Sequence, residues 1–575
     1  MSTSKHIDII CVIALLCTLL VTGLFINGRA LGILPVTDDD TGDGPFTAND
    51  LNGDWDTAGA TQITLTGDGG SVKGNGAYIH DGSVHIVYAG KYVLSGELDD
   101  GSVIIDAEVD GKIWLLLDGV SLHCEDSAAI LVEQADKVFL TLAEGTVNTV
   151  SGGASYSEKA VSSKIDGVIY SRDDLTINGG GSLRVTAPYK HGIVCNDDLV
   201  IAGGTINITA ARDGIHANDS ASFADVDLTI NAGDDGITVS NDDETAWLYV
   251  ESGNISIPSC YEGIEAIDIT IAGGVIDIRP TDDGINANGR GDHSVIRITG
   301  GDITIINETG RDADGLDSNG SIYVSGGNTF ISVNTSSYAL DYGSENGGVC
   351  KISGGTVVAA GGSAMAEGFD SSSEQCFIMY NTSTVPAGTA VTLKNGAGAV
   401  LVSEVIPCVF SSIVISTPEL RMGETCTISI GGTEAEITVD NSSSSNGFGM
   451  GGGMFGGRGG GAFGGPGGGD RGGPGGQMPG GDFGGGEMPQ MPGGGFPGGD
   501  GGLPSGELPD DDFNGGFPGG GRGDDRFTQW GQDQDRAQGG TPGETAAVSL
   551  GALVPVGVSV LFLLAGLVIA FKVKH

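Results

Sequence analysis

Between residues 112 and 360, the chain returns repeatedly to short segments in which aliphatic and polar residues alternate on either side of a glycine pair. Three of these segments are LVIAGGTINITA, ITIAGGVIDIRP and IRITGGDITIIN. Alternation with a period of two predicts β-strands that have one buried face and one solvated face. Glycine permits a positive φ, so each Gly-Gly pair predicts a corner between two strands. Helical periodicity is absent from this region, which therefore predicts an all-β domain.

A second recurring unit precedes each strand pair: an acidic or polar residue, then glycine, then an aliphatic residue. Its glycines are Gly167, Gly192, Gly214, Gly236, Gly263, Gly284 and Gly315, at spacings of 25, 22, 22, 27, 21 and 31 residues. Three short strands in ~22–27 residues cannot bury a core alone, whereas stacked copies bury a continuous one. The variable spacing predicts extra residues at the corners. The repeat predicts a single-stranded parallel β-helix, and a leucine-rich solenoid or a propeller fits it less well.

Both ends of the chain differ in composition from this body. The uncharged apolar run 9–26 predicts a signal peptide that is removed after Ala30, or an uncleaved signal anchor. Residues 545–571 carry no charge and are long enough to cross a ~30 Å hydrocarbon core. Lys572 and Lys574 follow at once, which predicts a cytoplasmic C-terminus. The chain is therefore expected to be exported and anchored, with its body outside the cell.

Composition divides the chain into seven parts. A Gly-rich tract with recurring Pro, Met, Phe and Asp lacks the apolar residues of a core and is predicted to be a disordered, flexible tether. The expected parts are 1–30, a signal peptide or anchor; 31–75, an acidic linker and the start of the folded region; 76–375, the β-helix; 376–440, a C-terminal β segment; 441–545, the tether; 546–571, a transmembrane helix; and 572–575, a cytoplasmic tail.

Charge and cysteine usage exclude several classes of function. The formal net charge is −48, from 74 acidic and 26 basic residues. Such a charge repels nucleic acid and attracts divalent cations, so nucleic acid is excluded as a partner. Two of the nine cysteines lie in the N-terminal apolar run, and no CxxC pair occurs. Neither a metal-thiolate site nor a full disulfide framework is expected.

Segments at both ends of the repeat region resemble those of a known family. The opening includes GKYVLSGELDDGSVIIDA, and the close includes SSIVISTPELRMGETCTISIGG. With the repeat, they resemble bacterial and archaeal cell-surface β-helix proteins that are similar to pectate lyases and bind cellulose and acidic pectic sugars. The resemblance covers about residues 76–440. It implies a right-handed β-helix, bound calcium (Ca2+), and binding of carbohydrate rather than cleavage.

The residues that precede the repeat glycines are candidates for binding calcium. Stacked coils lie ~4.8 Å apart, so these side chains, from Asp166 and His191 to Asp314, should form a column. Two unit charges ~5 Å apart repel by about 3 kcal/mol at an effective dielectric of about 20, and calcium, which takes about six to eight oxygen ligands, would remove the repulsion. A solvated Asp-Gly turn is the alternative for each residue. The predicted calcium ligands are Asp213, Asp219, Asp235, Glu262, Glu265, Asp283, Asp314 and Asp317.

Flat aromatic rings are the usual binding surface for neutral glucans. In AWLYVESGNISI, the alternation turns Leu248 and Val250 inward. Trp247 and Tyr249 then project outward, and the same alignment turns Tyr323 outward. These three aromatic residues are the predicted sugar platform. Ordinary packing of outward side chains beneath a loop is the alternative.

Two arginines, Arg212 and Arg311, complete the predicted carbohydrate contacts beside the acidic edge. They would also be the candidate bases of a pectate-type lyase, which needs calcium and an arginine or lysine base. Arginine beside aspartate more often forms an ion pair, so no catalytic residue is assigned.

The sequence thus predicts a membrane-anchored carbohydrate-binding protein of the cell surface, with an extracellular body. We expect a monomer that holds cellulose, polygalacturonate or a similar acidic polysaccharide through a calcium-loaded edge. A calcium-dependent pectate or uronate lyase is the first alternative. A surface adhesin or envelope spacer is the second.

Overall fold

The computed structural model describes residues 45–241, 243–290 and 293–441. The predicted signal segment, most of the tether, the transmembrane helix and the tail lie outside these residues. Within the described ranges, no helix combines the length and the apolar composition that crossing a bilayer requires. The helices described there are a short α-helix, Glu158–Ser162, and a 3-10 turn, Ser344–Asn346.

The described chain is an all-β parallel solenoid of about ten turns, as the repeat predicts. Each coil gives one short strand to each of three stacks, numbered here in the order in which the chain meets them. Stack one contains Ser83–Ile86, Val103–Asp106, Ile130–Gln134, Gly167–Ser171, His191–Cys195, Ile215–Ala217, Ile237–Val239, Ile264–Ala266, Ile285–Ala287, Leu316–Ser318 and Leu340–Tyr342. Its first strand pairs antiparallel with Ala77–His80.

In most coils, a glycine corner joins the strand of stack two to the strand of stack three. Stack two contains Lys137–Leu142, Asp174–Gly179, Asp198–Ala202, Ser220–Ala224, Trp247–Val250, Asp268–Ile271, Val295–Ile298, Ser321–Val324 and Cys350–Ile352. Stack three contains Val147–Gly152, Ser182–Ala187, Thr205–Ala210, Asp227–Ala232, Asn254–Cys260, Val275–Pro280, Asp302–Asn307, Asn328–Val333 and Thr356–Gly361. The opening coils are formed by Thr61–Gly67, Gly70–Lys73, Gly90–Leu98 and Lys112–Cys124, and the last of these pairs with the first strands of both stacks.

A continuous aliphatic core fills the space between the three stacks. In stack one, Ile237, Ile264 and Ile285 pair in consecutive coils and are fully buried. Burial of such a side chain contributes about 1.5–3 kcal/mol. Because every coil adds residues of this kind at the same positions, the pattern of the sequence fixes which side chains remain outside.

Glycines allow the coils to turn and to approach one another. In the Gly-Gly corners, the second glycine has a positive φ, as at Gly274 (86°) and Gly301 (88°), which confirms the predicted corners. The glycines that lead into stack one have a different role. A Cβ on Gly263 would lie 2.3 Å from the carbonyl oxygen of Gly284 in the next coil, so a side chain there would collide with the backbone. The residue before each of these glycines is thereby held close to its counterpart in the next coil.

Most insertions lie at the corners, as the variable spacing predicts, although one extra residue forms a bulge within strand Asn254–Cys260. The widest spacing places its extra residues between strands Ile285–Ala287 and Val295–Ile298, and between Asp302–Asn307 and Leu316–Ser318. The strands of this coil keep their register with the coils beside them. A corner can therefore grow without disturbing the side chains that line a stack.

The end of stack three is covered by antiparallel strands. Strand Phe410–Ser416 pairs with Thr356–Gly361 on one side and with Phe377–Val385 on the other. A four-stranded antiparallel sheet follows, with a buried cluster that includes Phe410 and Ile428. Its strand order is Val400–Ile406, Thr389–Lys394, Thr425–Ile430 and Thr433–Thr438. Strand Phe410–Ser416 pairs the backbone groups that the last coil of stack three would otherwise expose.

Residues 45–56, which we call the N-terminal strap, lie along the outer face of stack two. Asp50, only 1% exposed, forms an ion pair with Lys137 at 2.9 Å and accepts a hydrogen bond from the hydroxyl of Thr176. Trp55 Nε1 donates to Thr141 Oγ1 at 3.1 Å. The strap thus supplies partners to polar groups that would otherwise be buried without them.

Candidate metal centre

Side chains from two positions of each coil meet on the outer surface of stack one. The first column is the residue before each repeat glycine, and backbone hydrogen bonds between coils hold its members in register. The second column lies three residues further along and is formed by the outward residues of the strands. Seven carboxylates of the two columns are called the acid ladder. They are Asp235, Glu262, Glu265, Asp283, Asp314, Asp317 and Asp341.

One oxygen of several first-column carboxylates is fixed by the backbone of the next coil. Asp235 Oδ1 accepts the N–H of Glu262 at 3.0 Å, and Asp283 Oδ1 accepts the N–H of Asp314 at 2.6 Å. Asp314 Oδ1 in turn accepts the N–H of Tyr338 at 2.5 Å. The fold therefore sets the orientation of these carboxylates, and their carboxyl groups also contact side chains of the second column.

The two columns are in contact. Thr238 Oγ1 donates to Asp235 Oδ2 at 3.1 Å, and Asn286 Nδ2 donates to Glu262 Oε2 at 3.0 Å. Where both partners are acidic, the same contact joins two carboxyl groups, as it does for Asp314 and Asp341. Such a pair requires a proton or a cation between its oxygens.

The environment of the ladder opposes negative charge. Burial, together with the neighbouring carboxylates, raises the pKa of Glu262 to about 9 and the pKa of Asp314 to about 8. For the same reasons, the pKa values of Glu265 and Asp317 rise to about 7. In the part of the chain that the structure describes, no lysine or arginine forms an ion pair with the seven carboxylates. The ladder is thus a set of oxygens that requires protons or metal ions.

The structure brings most of the predicted calcium ligands into the acid ladder, but two lie elsewhere. Asp213 belongs to the first column, where its Oδ2 lies 3.1 Å from His191 Nδ1 and 2.9 Å from His216 Nδ1. Asp219 follows the end of its strand and lies in the corner before stack two, where its carboxylate accepts a hydrogen bond from Asn241. The two residues therefore have surroundings unlike those of the ladder.

Asp166 does not continue the first column, because Gly167 and not Asp166 pairs with His191. The glycine spacing of 25 residues here is one longer than the register offset of the strands, since Ile169 pairs with Ile193. Asp166 nevertheless lies beside the column, with its carboxylate 3.8 Å from His191 Nε2.

The predicted aromatic residues point outward from stack two, as the alternation predicts. Trp247 is 36% exposed and Tyr323 is 39% exposed. The ring of Tyr249, however, packs edge-on against Phe46 of the strap, with ring centroids 6.1 Å apart. The three rings are therefore not equally open to a ligand, and their role in binding sugar stays a prediction.

The two predicted arginines differ in their surroundings. Arg212 Nη1 lies 2.7 Å from Asp234 Oδ2, which is the ion pair expected as the alternative to a role in chemistry. Arg311 is exposed. It lies in the corner that leads to Asp314 and therefore stays close in sequence to the first column.

Sequence reasoning missed several residues of the site. Asp341 was overlooked because Ala339 stands where the repeat glycine would be, although the strand register continues without it. Asn286 occupies a second-column position between two acidic residues. Tyr261, 48% exposed, directly precedes Glu262. Asp341 and Asn286 would have been found by counting positions from one strand to the next, rather than from one glycine to the next.

One protein family matches the solenoid. Residues 80–368, about half of the chain, match the family described as carbohydrate-binding domain-containing protein. A curated relative of the same description from Acetivibrio thermocellus is 36% identical over 137 residues, which are 24% of this chain and 48% of the relative. The alignment thus spans about half of the relative's length.

Among solved structures, a polysaccharide lyase-like protein from C. thermocellum, a gadolinium derivative, is 29% identical to this chain. The match covers 45% of this chain and 96% of that one, with a TM-score of 0.36. The coils that carry the acid ladder all lie within the residues that the family matches. This chain therefore belongs to the family of carbohydrate-binding domain-containing proteins.

Proposed function

We propose that the acid ladder holds calcium and that this chain binds an acidic pectic polysaccharide through it. The observation that carries the proposal is the ladder itself, in which partly buried carboxylates touch one another without a lysine or arginine partner among the described residues. Membership of a carbohydrate-binding family supplies the class of ligand. The acid ladder supports the proposal that calcium mediates the contact with this ligand.

The donor set fits calcium. Calcium takes about six to eight oxygen ligands, carboxylates and amide carbonyls among them, in flexible geometry. The ladder offers carboxylates beside the amides of Asn286 and Asn288. Asp235, Glu262 and Glu265 would hold one ion, and a second set of carboxylates would hold another. That second set is Asp283, Asp314, Asp317 and Asp341. The bound ions would supply the positive charge that lets these groups ionise at neutral pH.

Calcium also explains how an acidic protein would hold an acidic glycan. A chain with a net charge of −48 repels polygalacturonate. A divalent cation that is coordinated by ladder carboxylates and by uronate carboxylates attracts both. The exposed ring of Tyr261 lies next to Glu262 in the chain and offers an apolar surface for a sugar face at the same edge.

Cellulose is the second candidate ligand, and a different surface favours it. The exposed rings of Trp247 and Tyr323 project from stack two, away from the carboxylates of stack one. Flat rings suit an uncharged glucan and need no metal. Binding of cellulose would therefore be insensitive to chelators, whereas binding of polygalacturonate would depend on calcium.

The proposed setting is the outer surface of the cell, with the solenoid held away from the membrane by the Gly-rich tract. This part of the proposal rests on the two apolar runs and on the composition of the tract. A lyase or an adhesin would have the same setting, so only a binding experiment separates these functions.

The test is a pull-down of the full-length chain on polygalacturonate and on cellulose, with calcium or with a chelator. We expect retention on polygalacturonate that disappears in chelator and returns with added calcium. The ultraviolet absorbance of unsaturated uronides is followed in parallel. Growth of that absorbance would make the protein a lyase, and the absence of retention on either glycan would favour the adhesin.

Matched variants assign the effect to the ladder. Asp317→Asn should weaken calcium-dependent retention, because it removes one carboxylate from the second set. Asp227→Asn, which changes an exposed carboxylate of stack three, should leave retention unchanged. Equal retention of the wild-type chain with and without chelator would overturn the calcium bridge.

A further inference from the structure

The two coils that precede Asp235 in the chain place histidines as well as a carboxylate in the two columns. In the two preceding coils, its members are His191 and Asp213, and the second column contributes His216. Asp213 is only 6% exposed, and its Oδ2 lies 3.1 Å from His191 Nδ1 and 2.9 Å from His216 Nδ1. Two imidazole nitrogens and one carboxylate oxygen therefore converge, with all three atoms within 4.8 Å of one another.

Asp213 Oδ2 is shared by two imidazole rings, and their N–H groups satisfy it only where both rings carry a proton at Nδ1. Asp235, Asp283 and Asp314 accept the backbone N–H of the next coil. His191 Nδ1 is placed to do the same, with the N–H of Asp213 at 3.3 Å. An imidazole nitrogen that accepts a hydrogen bond carries a lone pair and no proton. Asp213 Oδ2, 3.1 Å away, is an acceptor too. In the tautomer with its proton at Nε2, His191 Nδ1 and Asp213 Oδ2 are both acceptors, and a cation that displaces the weak contact with the Asp213 N–H would bind both atoms.

A carboxylate near the other nitrogen of His191, Nε2, also favours a proton at Nε2 and a lone pair at Nδ1. Asp166 Oδ2 lies 3.8 Å from His191 Nε2 and is held by Lys190 Nζ at 3.2 Å. A carboxylate on the far nitrogen of an imidazole stabilises the proton there and leaves the near nitrogen free to bind metal. The position of Asp166 therefore favours His191 Nδ1 as a ligand atom, independently of the contacts within the cluster.

We propose that His191, Asp213 and His216 form a second metal site, which takes a zinc-type transition ion and not calcium. Imidazole nitrogen suits zinc, whereas calcium prefers oxygen ligands. A tetrahedral zinc ion, with bonds of ~2.0–2.1 Å, holds its ligand atoms ~3.3 Å apart. The two nitrogen–oxygen distances of 3.1 and 2.9 Å are close to that spacing. Three protein ligands leave one position of the ion for water or for an oxygen of a bound glycan.

Cobalt is the probe for this site, because Co2+ in a tetrahedral nitrogen and oxygen environment gives visible absorption bands and replaces zinc. The full-length chain, stripped with a chelator and dialysed, is titrated with Co2+ and then with Zn2+. We expect one equivalent of Co2+ with tetrahedral bands that Zn2+ abolishes and that a large excess of Ca2+ leaves in place. Removal of the bands by Ca2+, or a spectrum of octahedral Co2+ alone, would overturn the proposal.

Variants locate the site in the cluster. His191→Gln and His216→Gln should each weaken Co2+ binding by at least ~100-fold, and Asp166→Asn, which leaves all three ligands in place, by ~10–100-fold. Two controls should bind Co2+ as the wild-type chain does: His85→Gln, which changes a separate pair of histidines with rings 6.4 Å apart, and Glu262→Gln in the acid ladder. Circular dichroism identifies variants that do not fold, and for these Asp166→Asn decides the test. Unchanged affinity in the folded variants would refute the assignment.

Discussion

Asp283 and Asp314 stand in consecutive coils, and the N–H of Asp314 donates to Asp283 Oδ1 at 2.6 Å. The two residues are 31 positions apart, which matches the widest spacing of the repeat, yet the column continues through them. Their closeness therefore follows from backbone register and not from distance along the chain. Since backbone hydrogen bonds and the aliphatic core also join the coils, a single carboxylate can be changed without unfolding its coil.

The ladder gives the calcium-free protein an unusual dependence on pH. The folded pKa values of Glu262, about 9, and Asp314, about 8, lie above their ordinary values. The folded state therefore binds protons more tightly than the unfolded state, and this stability is fully present below about pH 4. It is lost as the pH rises through the folded values. In chelator, the midpoint of thermal unfolding should fall between pH 4 and pH 9.

Added calcium and one variant test whether the acid ladder causes this fall of the unfolding midpoint with pH. Added calcium neutralises the ladder, so the midpoint should become nearly independent of pH above about 6. Glu262→Gln should flatten the fall in chelator, whereas Asp227→Asn should preserve it. If the midpoint rose with pH in chelator, the ladder carboxylates would be ionised in the folded protein without metal.

The sequence predicts the coils better than it predicts the sites. Aliphatic alternation and Gly-Gly corners are local patterns, so Leu248 and Val250 could be assigned to the core directly. Side chains that meet across coils depend on register, which the glycine spacing shows only approximately. Asp166 was misplaced for that reason, because one extra residue separates the glycines there. The cluster of Asp213 with two histidines depends on side-chain orientation, which no spacing reveals.

Gly263 is predicted to be intolerant of any side chain. A Cβ there would lie 2.3 Å from the carbonyl oxygen of Gly284 and 2.4 Å from Ile278 Cγ2. Both neighbours are fixed in the stack, so Gly263→Ala should lower the free energy of unfolding by about 1–3 kcal/mol or more. Gly69→Ala is the control, because its Cβ would meet only Ile79 Cγ2 at 3.9 Å. Urea unfolding of both variants measures the difference.

Asp50 should anchor the N-terminal strap. Burial opposes its charge, but Lys137 and the hydrogen bonds from Thr176 and Thr47 hold the pKa of Asp50 below its ordinary value. Asp50→Ala would leave Lys137 without its closest partner, 2.9 Å away, and should destabilise the strap by about 3–5 kcal/mol. Faster amide hydrogen exchange across residues 45–56 would show the loss.

The control for this change lies within the strap itself. Asp54 is exposed, so Asp54→Ala should leave hydrogen exchange unchanged. The contribution of Asp50 is present above about pH 4 and is lost as the pH falls through its lowered pKa. Protection of the strap should therefore weaken in acid. Equal exchange in both variants would show that the ion pair does not hold the strap in place.

Asp317→Asn should have opposite effects on the calcium-free and calcium-loaded proteins. The amide keeps the shape of the side chain but removes a negative charge that lies beside Asp283 and Asp341. At pH 8, the calcium-free variant should therefore unfold at a higher temperature than the calcium-free wild-type chain. The variant also has one ligand fewer, so calcium should bind it more weakly and stabilise it less.

The size of the second effect follows from linkage. A ligand at about 100 times its Kd stabilises the folded state by about 2.7 kcal/mol, and a Kd that is tenfold higher reduces this by about 1.3 kcal/mol. Thermal unfolding at a fixed calcium concentration measures both effects, with Asp227→Asn as the charge-matched control. A proton held at Asp317 in place of metal predicts a different result, because calcium would then shift the midpoints of variant and wild type equally. If the Asp317 carboxylate ligates the metal, Asp317→Asn should raise the midpoint of the calcium-free protein and reduce the shift that calcium causes. A proton at Asp317 does not predict the reduced shift.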